Sequence, residues 1–219
     1  KTDVAGEELE NAELILKDQD GNVVESWISD GTAKELKLQP GTYTLIEDKV
    51  PLGYDKAEEI TFTVDYDENG ETVITIDGDV VPEVVMTDEW SDQTVIIKKT
   101  DVAGVELADA ELTVTDAEGN EVANWISDGS AKELKLQPGT YTLTEDQVPT
   151  GYDKAESITF TVDFDKVTGE PVITVDGEEV EEVVMTDEWT DRTVKISKTD
   201  VAGEELEGAL LTVTDKDGS

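Results

Sequence analysis

The stretch Lys99-Thr100-Asp101-Val102-Ala103-Gly104 occurs in three near-identical copies. The others are Lys1-Thr2-Asp3-Val4-Ala5-Gly6 and Lys198-Thr199-Asp200-Val201-Ala202-Gly203. Their starting points lie 99 − 1 = 98 and 198 − 99 = 99 residues apart. A fixed period makes the repeat, not the total length of 219 residues, the unit of folding. A unit of roughly a hundred residues is a common size for a β-sandwich. The predicted division is residues 1–91 for a first repeat whose opening strand is incomplete, 92–190 for a second, and 191–219 for the N-terminal part of a third.

Turn signals alternate with short β-rich runs throughout, the pattern of an all-β domain. In the first repeat Ala12–Lys17, Val23–Ile28, Thr42–Glu47, Glu59–Tyr66, Thr72–Ile76 and Glu83–Asp88 read as strands. Asp18-Gln19-Asp20-Gly21, Ser29-Asp30-Gly31, Pro40-Gly41, Pro51-Leu52-Gly53-Tyr54 and Asp77-Gly78 punctuate them, the last as a hairpin signal. Lys34–Leu38 and Lys132–Leu136 alternate polar and apolar and read as strand or extended chain. Ala5–Leu9 and Val102–Leu107 read as a short loop or single turn. The extra residue of the second repeat falls in the loop Asp165–Gly169, where an insertion disturbs no strand. Glu89–Thr94 and Glu188–Thr193 read as short linkers without Gly or Pro, of limited bending.

The formal net charge is −39. Nucleic acid and anionic membranes are bound by Lys/Arg stripes, so both are excluded as partners. With Cys 0 and His 0, no disulfide, thiolate nucleophile or Cys/His zinc site is available. The chain starts without Met and shows no signal peptide, sorting motif or apolar run long enough to cross a bilayer. It is therefore expected to be a window on a longer tandem array, with any targeting signals outside it and no membrane insertion.

Side chains on a strand alternate between faces. Val95, Ile97 and Lys99 share one face, as do Val194, Ile196 and Lys198. Tyr43, Leu45 and Glu47 are in phase, as are Tyr141, Leu143 and Glu145. So are Val84, Met86 and Asp88, and Val183, Met185 and Asp187. Three kinds of ionisable residue thus fall on apolar faces, where charge is seldom placed. Burial raises a carboxyl pKa and lowers an amine pKa, which favours a neutral amine beside a protonated acid. Such a pair held in contact has a high effective molarity for condensation, and a glutamate that moves protons would assist. Spacing alone leaves a second reading open: a buried or half-buried Lys–Asp–Glu salt-bridge cluster with no covalent chemistry, its lysines reaching solvent by snorkelling.

Further stretches are specific in combination. They are Asn124-Trp125-Ile126-Ser127-Asp128-Gly129, Leu136-Gln137-Pro138-Gly139-Thr140-Tyr141-Thr142-Leu143-Thr144-Glu145, Pro149-Thr150-Gly151-Tyr152, Ile158-Thr159-Phe160-Thr161-Val162 and Val183-Val184-Met185-Thr186-Asp187. Together with Lys99-Thr100-Asp101 and Leu107…Ala110, they resemble the CnaB-type (SpaA-like, prealbumin-like) repeat domains of Gram-positive surface proteins, and the first repeat carries counterparts of all of them. The likeness is greatest to the parent domain of the SpyTag/SpyCatcher split pair. The resemblance implies tandem Ig-like or prealbumin-like β-sandwiches with intramolecular Lys–Asp isopeptide bonds. It implies Lys1 with Asp88 and Lys99 with Asp187 as the cross-linked residues, and Glu47 and Glu145 as the catalytic glutamates. Lys198 is a cross-link candidate without a partner in the sequence. Many relatives use Asn and release ammonia; Asp implies loss of water.

The resemblance further implies an extracellular or cell-wall-anchored protein: a structural stalk or fibre segment of a surface adhesin, self-cross-linked once rather than a turnover enzyme. The partners expected are neighbouring repeats of the same chain. One alternative is a ligand-binding adhesin module, with a host or cell-surface ligand engaged through domains outside these residues. Another is a repeat segment that joins end to end into a polymer. No cofactor and no metal are expected. Asp65-Tyr66-Asp67-Glu68-Asn69-Gly70 imitates the start of a calcium-binding loop, but Ile76 occupies the position that needs a glutamate. Trp90 and Trp189 continue the phase of the aspartates and are expected to shield the site or pack at the domain end. Trp27 and Trp125 read as strand packing residues.

Overall fold

A computed structural model describes residues 1–214, 216 and 218, and among these no helix occurs. The first repeat contains β1 (Thr2–Asp3), β2 (Glu10–Asp18), β3 (Val23–Asp30), β4 (Gly41–Lys49), β5 (Tyr54–Asp55), β6 (Ile60–Tyr66), β7 (Thr72–Ile76), β8 (Asp79–Val81) and β9 (Thr87–Trp90). The second contains β10 (Gln93–Asp101), β11 (Ala108–Asp116), β12 (Glu121–Asp128), β13 (Lys132–Leu136) and β14 (Gly139–Gln147). It continues with β15 (Tyr152–Asp153), β16 (Ile158–Phe164), β17 (Pro171–Val175), β18 (Glu178–Val180) and β19 (Val183–Trp189).

Each repeat is a sandwich of a large and a small sheet. In the second repeat the six-stranded sheet runs β12-β11-β14-β16-β17-β18, opposite a four-stranded sheet β13-β10-β19-β15. The alternation read from the sequence supplies the inner faces. Ala110, Leu112 and Val114 of β11, Tyr141 and Leu143 of β14, and Phe160 and Val162 of β16 meet Val95 and Ile97 of β10 and Val183 and Met185 of β19. The first repeat repeats the six-stranded sheet as β3-β2-β4-β6-β7-β8, over Ala12, Leu14, Leu16, Tyr43, Leu45, Phe62, Val64 and Met86. Asp77 and Gly78, with φ of 52° and 93°, make the hairpin turn between β7 and β8, since two successive positive φ values match the twist of the flanking strands.

The first and last strands of a repeat are neighbours and parallel: β10 lies beside β19, and β1 beside β9. Parallel strands cannot be joined by a tight hairpin, and here the rest of the repeat forms the connection.

Pairing settles some local readings, and others differ from the structure. Lys132–Leu136 is a strand because it pairs antiparallel with Gln93–Ile97. Its counterpart Lys34–Leu38 forms no strand. Residues 83–86 likewise stay outside β9, whereas Val183–Met185 pair with Ile97–Lys99 in β19. The linkers are shorter than read. Trp90 pairs with Tyr54 and Gln93 with Leu136, leaving two residues, Ser91 and Asp92, between strands. Val194 and Ile196 are exposed and belong to no strand.

Candidate functional site

The site lies at one end of each core, where ionisable side chains continue the apolar stripes of three strands. In the second repeat the register sets Lys99 opposite Met185 and Asp101 opposite Asp187 on the parallel pair β10 and β19. Lys99 and Asp187 are thus diagonal neighbours on one face. Glu145 comes from the other sheet, on β14, paired across to Leu112. All three are buried: Lys99 is 2% exposed, and Glu145 and Asp187 are 0% exposed.

The Lys99 amine donates to Asp187 Oδ1 in close contact and stands 3.0 Å from Glu145 Oε1. Glu145 is held from behind, its Oε2 accepting the backbone N–H of Ala155 at 3.0 Å. The first repeat reproduces this arrangement. The Lys1 amine donates to Asp88 Oδ1 and lies 3.0 Å from Glu47 Oε1, while Glu47 Oε2 accepts from the Ala57 N–H at 3.0 Å. Glu47 and Asp88 are also fully buried. The six residues singled out from the sequence therefore form two triads. Lys198 joins neither: it is exposed and donates to the carbonyl of Thr199.

Each triad places one amine against two carboxyls. Were all three ionised, the pocket would hold a net negative charge away from water, an arrangement that favours taking up a proton. Burial is the largest influence on Asp88. It pushes the carboxyl up to about 6, against the opposing pull of Lys1 and with a further upward contribution from Glu47. Asp88 Oδ2 and Asp187 Oδ2 are buried yet accept no hydrogen bond from the described residues, a costly state for an ionised carboxylate.

Three structural residues nearby were not read from the sequence as part of the site. Asp101, two positions after Lys99, is buried and turns the chain at the end of β10. Its Oδ1 accepts the N–H groups of Ala103 and Val105, each at 2.9 Å. Asp3 does the same for Ala5 and Glu7. Ser127 supports the irregular start of β11, where Asp109 has a φ of 68°; its hydroxyl accepts the Ala110 N–H at 3.0 Å. Asp followed by Gly three residues later was the available signal for the first two, since a short acceptor side chain and a residue tolerant of positive φ together make such a turn. The loop at Asp67 is a turn of this sort too, with its carboxylate accepting from Asn69 and Glu71.

The model of the SpaA prealbumin-like fold domain matches residues 1–79 and 93–187, and the chain belongs to this family. No curated protein matches it. Among solved structures it is similar to the pilus adhesin SpaC from Lactobacillus rhamnosus GG, at 19% identity and a TM-score of 0.39, covering 86% of this chain and 30% of that one. It is also similar to the Bacillus anthracis TIE protein, at 26% identity and a TM-score of 0.36, covering 88% of this chain and 33% of that one. The shaft pilin SpaA of Lactobacillus rhamnosus GG aligns at 12% identity with a TM-score of 0.36, over 85% of this chain and 87% of that one. The chain thus spans about a third of the length of the adhesin and of the Bacillus protein.

Proposed function

We propose that each complete repeat closes a Lys–Asp amide inside its own core, Lys1 with Asp88 and Lys99 with Asp187, and that the protein is a stiffened stalk segment of an extracellular, cell-wall-anchored adhesin. One observation carries the proposal: a buried lysine amine in contact with a buried aspartate, with a glutamate oxygen 3.0 Å away, occurs twice in one chain. In the reaction the neutral amine nitrogen attacks the aspartate carboxyl carbon. The C–N bond forms, a C–O bond breaks, and the departing hydroxyl leaves as water with a proton taken from the amine. Glu47 or Glu145 accepts that proton and delivers it to the leaving oxygen. The amide removes two buried charges or their precursors from the core, along with the cost of holding them there. As in the parent domain of the SpyTag/SpyCatcher pair, the acceptor is an aspartate.

The cross-linked ends of the two repeats lie 87 and 88 positions apart in sequence. By analogy with disulfides, closing a loop of that size stabilises by about 4–5 kcal/mol. The family match supports a surface module, and the near-identity of the repeats favours a stalk over a dedicated binding domain, which would differ from its neighbours. Residues 1–91 and 92–190 are the two independently closed units, with 191–219 opening a third.

Intact mass under denaturing conditions is the test. The chain is expected to be lighter than its sequence by two waters, one per complete repeat. Glu145→Ala is expected to restore one of them and Glu47→Ala the other. A mass equal to that of the unmodified sequence overturns the proposal and leaves two buried ion-pair clusters.

A further inference from the structure

One aromatic side chain of the second repeat is buried in the first. Phe164, at the end of β16, is not part of the core of its own sandwich. It packs instead in a cluster with Leu9 and Tyr54, against which Val50 and Trp90 lie. Its ring meets Tyr54 edge-on, with centroids 5.3 Å apart. Gly53 leaves the space, since a Cβ there would overlap the Phe164 ring.

The residues of this cluster stand one step from the triad of Lys1, Glu47 and Asp88. The Leu9 N–H donates to the Lys1 carbonyl at 2.8 Å. The Tyr54 hydroxyl donates to Asp3 Oδ2 at 3.4 Å, and Asp3 faces Asp88 in the parallel register of β1 and β9. Burial, and then the charge of Asp3, push the Tyr54 hydroxyl up to about 12, so at neutral pH it keeps the proton it donates. Trp90, two residues beyond Asp88 on β9, pairs with Tyr54 of β5. The Ser91 N–H then donates to the Gly53 carbonyl at 3.0 Å and closes β9 against the same loop. With only two residues in β5, this edge depends on what packs against it.

We infer that Phe164 is a positioning residue for amide closure in the first repeat. By packing on Leu9 and Tyr54 it fixes the Lys1 carbonyl and the turn at Asp3 against β9, and so holds the Lys1 amine at the Asp88 carboxyl. The role presupposes the Lys1–Asp88 amide and adds an order to it: the first repeat closes at full rate only once the second has folded and supplied its ring. Effective molarity falls steeply with misplacement, and an error of about 1 Å can cost about a hundredfold in rate. The chain carries its own control. Phe164 lies outside the second core, so closure of Lys99 with Asp187 should not depend on it.

The test times both closures in the same full-length chain. The protein is made by cell-free translation, synthesis is stopped, and samples are quenched in denaturant at intervals. After proteolysis the Lys1–Asp88 and Lys99–Asp187 linked peptides are quantified by mass spectrometry. Phe164→Ala is expected to slow the first closure about tenfold or more and to leave the second unchanged. Phe164→Leu, which keeps an apolar side chain in the cluster, should restore most of the rate. Near-UV circular dichroism of Phe164→Ala, in a chain also carrying Glu47→Ala and Glu145→Ala, should keep the aromatic signal of the folded first repeat. A lost signal would make Phe164 a folding residue and overturn the inference. So would a first closure at the wild-type rate in Phe164→Ala, or an equal slowing of both closures. A wild-type chain that yields neither linked peptide overturns the amide itself, and the role of Phe164 with it.

Discussion

Asp88 shows how burial decides chemistry at a single side chain. Its carboxyl is pushed from an ordinary 3.8 up to about 6, chiefly because burial disfavours the charged form, while Lys1 opposes the shift. A carboxyl whose pKa is higher folded than unfolded binds more protons in the native state. Its contribution to stability is therefore full below the unfolded value and is lost as pH rises through the folded one. Lys1→Met removes the opposing amine and the possibility of an amide, so the upward shift grows. The unfolding midpoint of this variant is expected to decline as pH rises from about 4 through 6 and beyond. Adding Asp88→Asn should remove that part of the slope and leave the part due to the acidic surface. Equal slopes in the single and double variants would mean that Asp88 holds no extra proton in the fold.

The turn after β10 carries the argument at the next scale. Asp101 satisfies two backbone donors and fixes where the strand stops, and so helps set the end of the strand on which Lys99 sits. Asp101→Ala leaves those donors without their acceptor and is expected to cost about 1–3 kcal/mol. Asp101→Asn keeps an acceptor oxygen and should cost less. Urea unfolding in a Glu145→Ala background gives the comparison without a cross-link to mask it. Much of this organisation was legible in the sequence. A period-two pattern assigns each residue to a face, and that was enough to bring Lys99, Glu145 and Asp187 onto inner faces. It does not say which strand lies beside which. Lys34–Leu38 and Lys132–Leu136 have the same alternation, yet the second alone is paired, because Gln93–Ile97 stands beside it. Nor does a pattern within one repeat reveal a contact between two. Phe164 reads as an ordinary strand-end aromatic until the Leu9–Tyr54 cluster of the preceding repeat is seen around it.

For the whole molecule, what matters is where a pulling force travels. Load enters the second repeat through β10 and leaves through β19, which are adjacent and parallel, so the hydrogen bonds between them are loaded together in shear. Without an amide those bonds and the core beneath them are all that resists, and their failure frees the intervening chain. With an amide between Lys99 and Asp187 the force crosses directly from one strand to the other, and the 88 residues of sequence separation between them never bear it. The two cases differ in length as well as strength. An unfolding repeat without the bond should release about 88 residues of chain, or roughly 300 Å at 3.3–3.6 Å per residue. Single-molecule extension of the wild-type chain is therefore expected to show no step of that size before the attachment fails, and Glu145→Ala should show one such step from the second repeat. A step of that length in the wild-type protein would place the load on hydrogen bonds alone. Resistance to the load would then come from packing, including the ring of Phe164 between the repeats, rather than from a bond through the core.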